Sequence, residues 1–226
     1  MQNWLQLENK VIIVTGGETG IEKAIADKLS GLSANVISAD IHTDSANKQD
    51  GIYHIYCDVS SKESVDAMVQ KVIARYGKID VLINNAGVAK PQLFVDASCN
   101  DSEYEADTDS FDFIFNINVK GVFLCSQAAA KQFIKQKIKG TIINMSSESG
   151  MEGSAGQSIY AASKNAVNSF TRADITTIDR YVKNYNIKGV TCNPTIIIKD
   201  GGSIQELVKH VPKDIELYLQ VIAQDY

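Results

Sequence analysis

The stretch Val11-Ile12-Ile13-Val14-Thr15-Gly16-Gly17-Glu18-Thr19-Gly20-Ile21-Glu22 decides the fold. Four consecutive β-branched apolar residues read as a short strand buried on both faces, because a strand with one wet face would alternate apolar with polar. The glycines end that strand, and helical period takes over from about Gly20. A strand that passes through a glycine-rich turn into a helix presents helix N-terminal amides at the turn, which suits the pyrophosphate of a nucleotide. Glycine is needed there because a Cβ would keep the phosphates away from the backbone. Gly16, Gly20 and Ile21 are therefore candidate cofactor-binding positions.

Outward from this turn, short β-branched runs alternate with longer segments of helical period. The predicted order is a helix from Gly20 to Leu32, strands at Asn35 to Ala39 and Tyr53 to Cys57, and a helix from Ser61 to Tyr76. A strand at Ile79 to Ile83 and a long helix from near Ser110 to Gln136 follow. Strand five is Thr141 to Met145, another helix starts near Ser158, and strand six is Ile187 to Cys192. Such alternation predicts an α/β fold: a doubly wound parallel sheet in three α/β/α layers. Asp40 closes the second strand, 20 residues beyond Gly20. A carboxylate there can accept hydrogen bonds from both adenosine ribose hydroxyls and would repel a 2′-phosphate, which favours NAD over NADP. His42 is read as a surface residue without a role.

The 226 residues suit one domain over 1–226, and no linker, repeat or low-complexity tract divides them. A net charge of −5 argues against nucleic acid or an anionic membrane as partner, since both need a clustered positive field. The four cysteines, Cys57, Cys99, Cys125 and Cys192, form no C-x-x-C pair, so neither a metal site nor a disulfide framework is expected. No apolar run in the sequence approaches the roughly 20 residues that span a bilayer, and a cytoplasmic location follows by default. The acidic stretch between Asp96 and Asp112 reads as a solvated loop.

Tyr160-Ala161-Ala162-Ser163-Lys164 places a phenol and an ammonium one helical turn apart on the same face. A nearby cation favours the phenolate, which lets a tyrosine exchange protons near neutral pH. Ser146-Ser147 follows strand five at the carboxyl end of the sheet, where open α/β folds bind ligands, and a serine there can hydrogen-bond a reacting oxygen. Asn118 lies inside the long helix, where a buried amide needs a partner such as water.

Together, Thr15-Gly16-x-x-x-Gly20, Asn84-Asn85-Ala86-Gly87, Asn118, Ser147 and Tyr160-x-x-x-Lys164 occur in an order and spacing that resembles the short-chain dehydrogenase/reductase family, from about Leu5 to Pro194. The resemblance implies a Rossmann-like dinucleotide-binding domain and an NAD-dependent oxidoreductase interconverting a secondary alcohol and a ketone. It implies that Tyr160 exchanges the proton, Lys164 holds the nicotinamide ribose, Ser147 orients the substrate oxygen and Asn118 anchors a water. Asn85, Ala86 and Gly87 would line the cofactor cleft, Asp58 and Val59 would contact the adenine, and Pro194 would lie at the nicotinamide end. The long helix and the helix from Ser158 form a dimer face in the family, so a homodimer is expected. Trp4-Leu5 before Lys10, and the acidic loop, look more narrowly like the bacterial sorbitol-6-phosphate 2-dehydrogenases. That implies a polyol substrate, phosphorylated as in sorbitol 6-phosphate, with Lys90 a candidate for the phosphate.

Some residues depart from the family pattern. Glu22 stands where glycine is usual, and an acidic residue there either repels the pyrophosphate or complements the helix dipole. Ser33 replaces the glycine that normally closes the first helix, Thr195 follows Pro194 in place of glycine, and Lys199 takes a threonine position. Asp174, Thr176, Thr177 and Asp179 make the helix after Tyr160 unusually polar. Residues 195–226 read as a shortened, divergent C-terminal segment of one or two helices without a seventh strand. These departures motivate an alternative, a catalytically impaired member acting as a binding or assembly module.

Overall fold

The computed structural model describes residues 7–18, 20–43, 51–97, 104–171, 189–192 and 216–219, with 20–22 and the last two segments as backbone. The elements are β1 (Val11–Thr15), α1 (Gly20–Ser30), β2 (Asn35–Asp40), β3 (Tyr53–Tyr56), α2 (Lys62–Tyr76) and β4 (Val81–Asn84). They continue with α3 (Thr108–Phe115), a π turn (Asn116–Gly121), α4 (Val122–Gln136), β5 (Thr141–Asn144), α5 (Ser149–Glu152) and α6 (Ser158–Thr171). Five parallel strands form one sheet in the order β3-β2-β1-β4-β5. The chain therefore leaves β1 toward β2 first and toward β4 later. The crevice that opens at the carboxyl ends of β1 and β4 is where such sheets take their ligands.

Alternate side chains of the buried strands feed two cores. Val11 and Ile13 join Ile37, Leu82 and residues of α2 and α4 on one face, while Ile12 and Val14 join Val36 and Ala26 of α1 on the other. This is why β1 had to be apolar without interruption. Helix α2 begins at Ser61, whose hydroxyl accepts from Ser64 N–H, and ends at Gly77 in the left-handed region, two local signals that bound it. Below the sheet, the buried Asp80 carboxylate accepts from Val11 N–H at 2.8 Å and meets Lys78 Nζ at 2.9 Å. That pairing ties β1 to the segment entering β4.

The predicted elements are present with ends shifted by at most two residues, and Ile79 precedes β4 instead of starting it. Three features depart from the sequence reading. The segment Thr108–Gln136 is one helical run of 29 residues, long and apolar enough by length and composition to cross a membrane. It carries a core stripe, Ile114, Val122, Cys125, Ala129 and Phe133, and packs on α2, β4 and β5. Helix α5 was not expected, because four residues are too few to show a period. A seventh strand does exist: β6 (Gly189–Cys192) pairs in parallel with β7 (Glu216–Leu219) in a separate two-stranded sheet. Leu217 and Leu219 stand two apart, a strand's period, where the sequence alone predicts helix. Pro194, Thr195, Lys199, the polar positions Asp174 to Asp179 and the Glu22 side chain lie outside the described residues.

Ser33 adopts φ 64°, the left-handed conformation expected for a glycine position. Such strain costs about 1–2 kcal/mol, and glycine's greater unfolded freedom returns roughly half of it. Ser33→Gly is expected to stabilise the fold by on the order of 0.5 kcal/mol, raising Tm by about 1–2 °C in a thermal melt. An unchanged or lower Tm would show that the serine is unstrained there.

Candidate active site

At the carboxyl end of β1 the Thr15 hydroxyl accepts from both Asn85 N–H and Ala86 N–H at 3.1 Å, and it donates to Ile83 O at 3.4 Å. One buried side chain thus locks the glycine turn to the turn after β4. Gly16 sits at φ 77°, and a Cβ on it would come 3.0 Å from Ala86 Cα, so this approach of two backbones admits only glycine.

Between these turns lies a cavity of about 210 Å³, whose lining includes Gly16, Asp40, Asp58, Val59, Ala86 and Gly87. Six of the residues singled out from the sequence therefore share one wall. Asn85 stands next to it, with its N–H taken by Thr15. Gly20 and Ile21 lie on the first turn of α1. Asp40 is nearly buried; its Oδ1 accepts from His42 N–H at 2.8 Å and its Oδ2 from Glu18 N–H at 3.3 Å. His42 thus serves Asp40 through its backbone. Asp58 is held by its own turn, accepting from Ser60 N–H at 2.9 Å and Ser60 Oγ at 2.7 Å.

Cys57 also lines the cavity, but burial pushes its thiol up to about 11, so it stays protonated and unreactive at neutral pH. Burial likewise raises Cys125, which lies near it.

The second group of residues gathers on α6. Lys164 is buried; its Nζ donates to Met145 O at 2.9 Å and stands 5.8 Å from the centre of the half-buried Tyr160 ring. Ser146 Oγ contacts Lys164 O at 3.4 Å, and Gly150 packs so closely that a Cβ would meet the Lys164 backbone at 2.8 Å. Ser147 lies between Ser146 and Gly150 in the chain and is itself buried. Its hydroxyl accepts from Ser149 N–H at 3.2 Å, opening α5.

Asn118 sits in the π turn, a helical irregularity common at functional sites. Its Oδ1 accepts from Val88 N–H at 2.8 Å, and its Nδ2 donates to Val88 O at 2.9 Å and to Ser163 Oγ at 3.0 Å. Protein groups thus meet both ends of the amide. Ser163 in turn donates to Tyr160 O at 2.7 Å, so Asn118 is wired to the loop after β4 and to the turn carrying Tyr160.

Gly87 joins the two groups. It lines the cavity, and a Cβ there would lie 3.4 Å from Asn118 Oδ1 and 3.5 Å from Lys164 Nζ. An elongated ligand with a diol at Asp40 would therefore reach an ammonium and a phenol at its other end. Residues 10–201 match the short chain dehydrogenase family. The chain belongs to that family.

Among its relatives, this short-chain dehydrogenase is 45% identical over 202 residues to a sorbitol-6-phosphate 2-dehydrogenase of Klebsiella pneumoniae, covering 89% of this chain and 74% of that one. Among solved structures, it resembles a 3-ketoacyl-(acyl-carrier-protein) reductase from Brucella melitensis complexed with NADH, with a TM-score of 0.67 and 26% identity over 83% of this chain and 75% of the other. A NAD+-bound xylitol dehydrogenase gives a TM-score of 0.66 and 29% identity, over 82% and 70% of the two chains. As a short-chain dehydrogenase it is an oxidoreductase of the class acting on CH–OH groups.

Sequence reasoning missed the hydroxyls of Thr15 and Ser163, the Val88 backbone and the Met145 carbonyl. It also missed a buried cluster of Glu18, Ser38 and His54 beneath the glycine turn. Ser163, inside Tyr160-x-x-x-Lys164, stands three residues from Tyr160 on the same helix and so had a local signal; the others are long-range partners with none.

Proposed function

We propose that this chain is an NAD-dependent dehydrogenase that interconverts a secondary alcohol and a ketone with Tyr160 as the acid/base, acting on a sugar alcohol phosphate such as sorbitol 6-phosphate. The observation that carries this reading is the cavity with Asp40 on its wall and with Gly87 set against both Lys164 and Asn118. The glycine cradle and the carboxylate fit a dinucleotide with a free ribose diol, and the nicotinamide, when bound, supplies the hydride acceptor. Solved relatives hold NADH and NAD+ in the same fold.

In the oxidative direction the Tyr160 oxygen takes the proton of the substrate hydroxyl as the carbon gives up its hydride; in reduction the phenol returns it. Lys164, held by Met145 O, places its positive charge beside Tyr160, where it favours the phenolate. Ser147 supplies a hydroxyl to the reacting oxygen, and Asn118 holds the loop after β4 against α6. Lys90 supports a phosphorylated substrate: it lies two residues beyond Val88, is half exposed, and donates to Ser110 Oγ at 2.6 Å at the start of α3. The named activity of the Klebsiella relative supports the same substrate class.

A homodimer in the cytoplasm completes the reading. Phe113, Phe123 and Phe170 stay about half exposed on α3, α4 and α6, an apolar surface on the two helices expected to pair.

The test is a fluorescence titration with NADH followed by NAD reduction with sorbitol 6-phosphate or sorbitol. The expected result is micromolar to submillimolar NADH binding and turnover that prefers the phosphate ester. Absence of NADH binding at millimolar concentration would remove the enzyme reading, and equal use of sorbitol would remove the phosphate.

A further inference from the structure

Glu18 lies within the glycine turn, and its carboxylate is deeply buried. Its side chain is 6% exposed and lies 2.6 Å from His54 Nδ1, itself 6% exposed. An ionised carboxylate can only accept, so the ring Nδ1 carries the hydrogen between them. The same Glu18 Oε1 accepts from the fully buried Ser38 Oγ at 3.2 Å.

The positions of these partners give the contact its meaning. Ser38 pairs with His54 across the β2–β3 ladder, and Ser38 precedes Asp40 by two residues on the same face of β2. Gly17 presses on Ser38 so closely that a Cβ would fall 2.4 Å from its hydroxyl. The Glu18 side chain therefore clamps the turn onto two strands just beneath Asp40. At that clamped position the Glu18 N–H is donated to Asp40 Oδ2 at 3.3 Å. With His42 N–H on Oδ1, both oxygens of Asp40 are oriented by backbone donors before any ligand arrives.

We propose that Glu18 is a positioning residue for the cofactor's adenosine ribose: held by Ser38 and His54, it fixes Asp40 in the orientation that accepts a 2′,3′-diol, and so sets the preference for NADH over NADPH through Asp40. This rests on the NAD reading above. Orienting a carboxylate in advance removes the entropy of ordering it on binding. The gain goes to the dinucleotide that hydrogen-bonds Asp40, and a 2′-phosphate gains nothing from a carboxylate aimed at it.

The experiment is a double-mutant cycle, with NADH and NADPH dissociation constants measured by nucleotide fluorescence for the wild type, Glu18→Ala, Asp40→Ala and the double variant. Losing the clamp should weaken NADH binding about five- to tenfold when Asp40 is present, and less than about twofold when Asp40 is already alanine. NADPH binding should change less than about twofold in either background. Glu18→Gln, whose amide oxygen still accepts from Ser38 and His54, should restore NADH affinity to within about threefold of the wild type. Should Glu18→Ala fail to fold, Ser38→Ala removes one arm of the clamp and is expected to weaken NADH binding about two- to threefold, again only with Asp40 present.

Equal weakening of NADH in both Asp40 backgrounds would make Glu18 a general support of the turn and overturn the proposal, as would an unchanged affinity. A wild-type protein that binds no NADH would instead overturn the NAD reading and this proposal together, so the two failures are distinguishable.

Discussion

Tyr160→Phe is expected to lower turnover by about three orders of magnitude, in line with the loss of a positioned general acid/base, while NADH affinity stays within about twofold. The ring is half buried on α6, one turn from Lys164, and phenylalanine keeps the ring, the helix and the 5.8 Å relation to the ammonium. Only the hydroxyl is lost. Steady-state kinetics and an NADH titration on the same preparation check this directly: retained turnover would mean that another group moves the proton. A parallel loss of NADH affinity would mean that the phenol is a cofactor ligand first.

Asn118→Leu carries the largest expected stability cost. Leucine is close in size, so the loss is one of hydrogen bonds and not of volume. The change strips the partners from Val88 N–H and Val88 O and takes the donor from Ser163 Oγ. A buried polar group left unsatisfied costs about 1–3 kcal/mol; the two Val88 groups are only part-buried and fall at the low end, so a total of about 3–5 kcal/mol is expected. That is a large share of the roughly 5–15 kcal/mol that holds a domain together. The midpoint of urea denaturation should fall accordingly, and turnover should fall in the protein that remains folded, because the loop after β4 is no longer tied to the turn of Tyr160. A midpoint within experimental scatter of the wild type would show that water replaces the amide.

Much of the site was legible because its signals are local. Gly16 needs a positive φ and a close backbone, and Tyr160 and Lys164 need one helical turn between them, so residue type and spacing announce both. Asp40 could be placed from its position at the end of a strand. Asn118 was recognised as a buried amide, but its partners were not, since Val88 and Ser163 stand 30 and 45 residues away. The Glu18 clamp was invisible for the same reason: Ser38 and His54 are brought to it only by the parallel pairing of β2 with β3. At the far end of the chain the period-two spacing of Leu217 and Leu219 was present, but four residues of strand are too short to outweigh a helical reading.

The sequence by itself determined the alternation of buried strands and helices, the glycine turn and the tyrosine–lysine pair, because apolar period, backbone permissiveness and one-turn spacing act within a few residues. The tertiary structure alone decided the sheet order that opens the crevice at β1 and β4, the closing of the Asn118 network onto Tyr160, and the seating of Asp40 over Glu18. Those contacts join segments tens of residues apart, and buried polar groups take whichever partners the packed strands bring within hydrogen-bond reach.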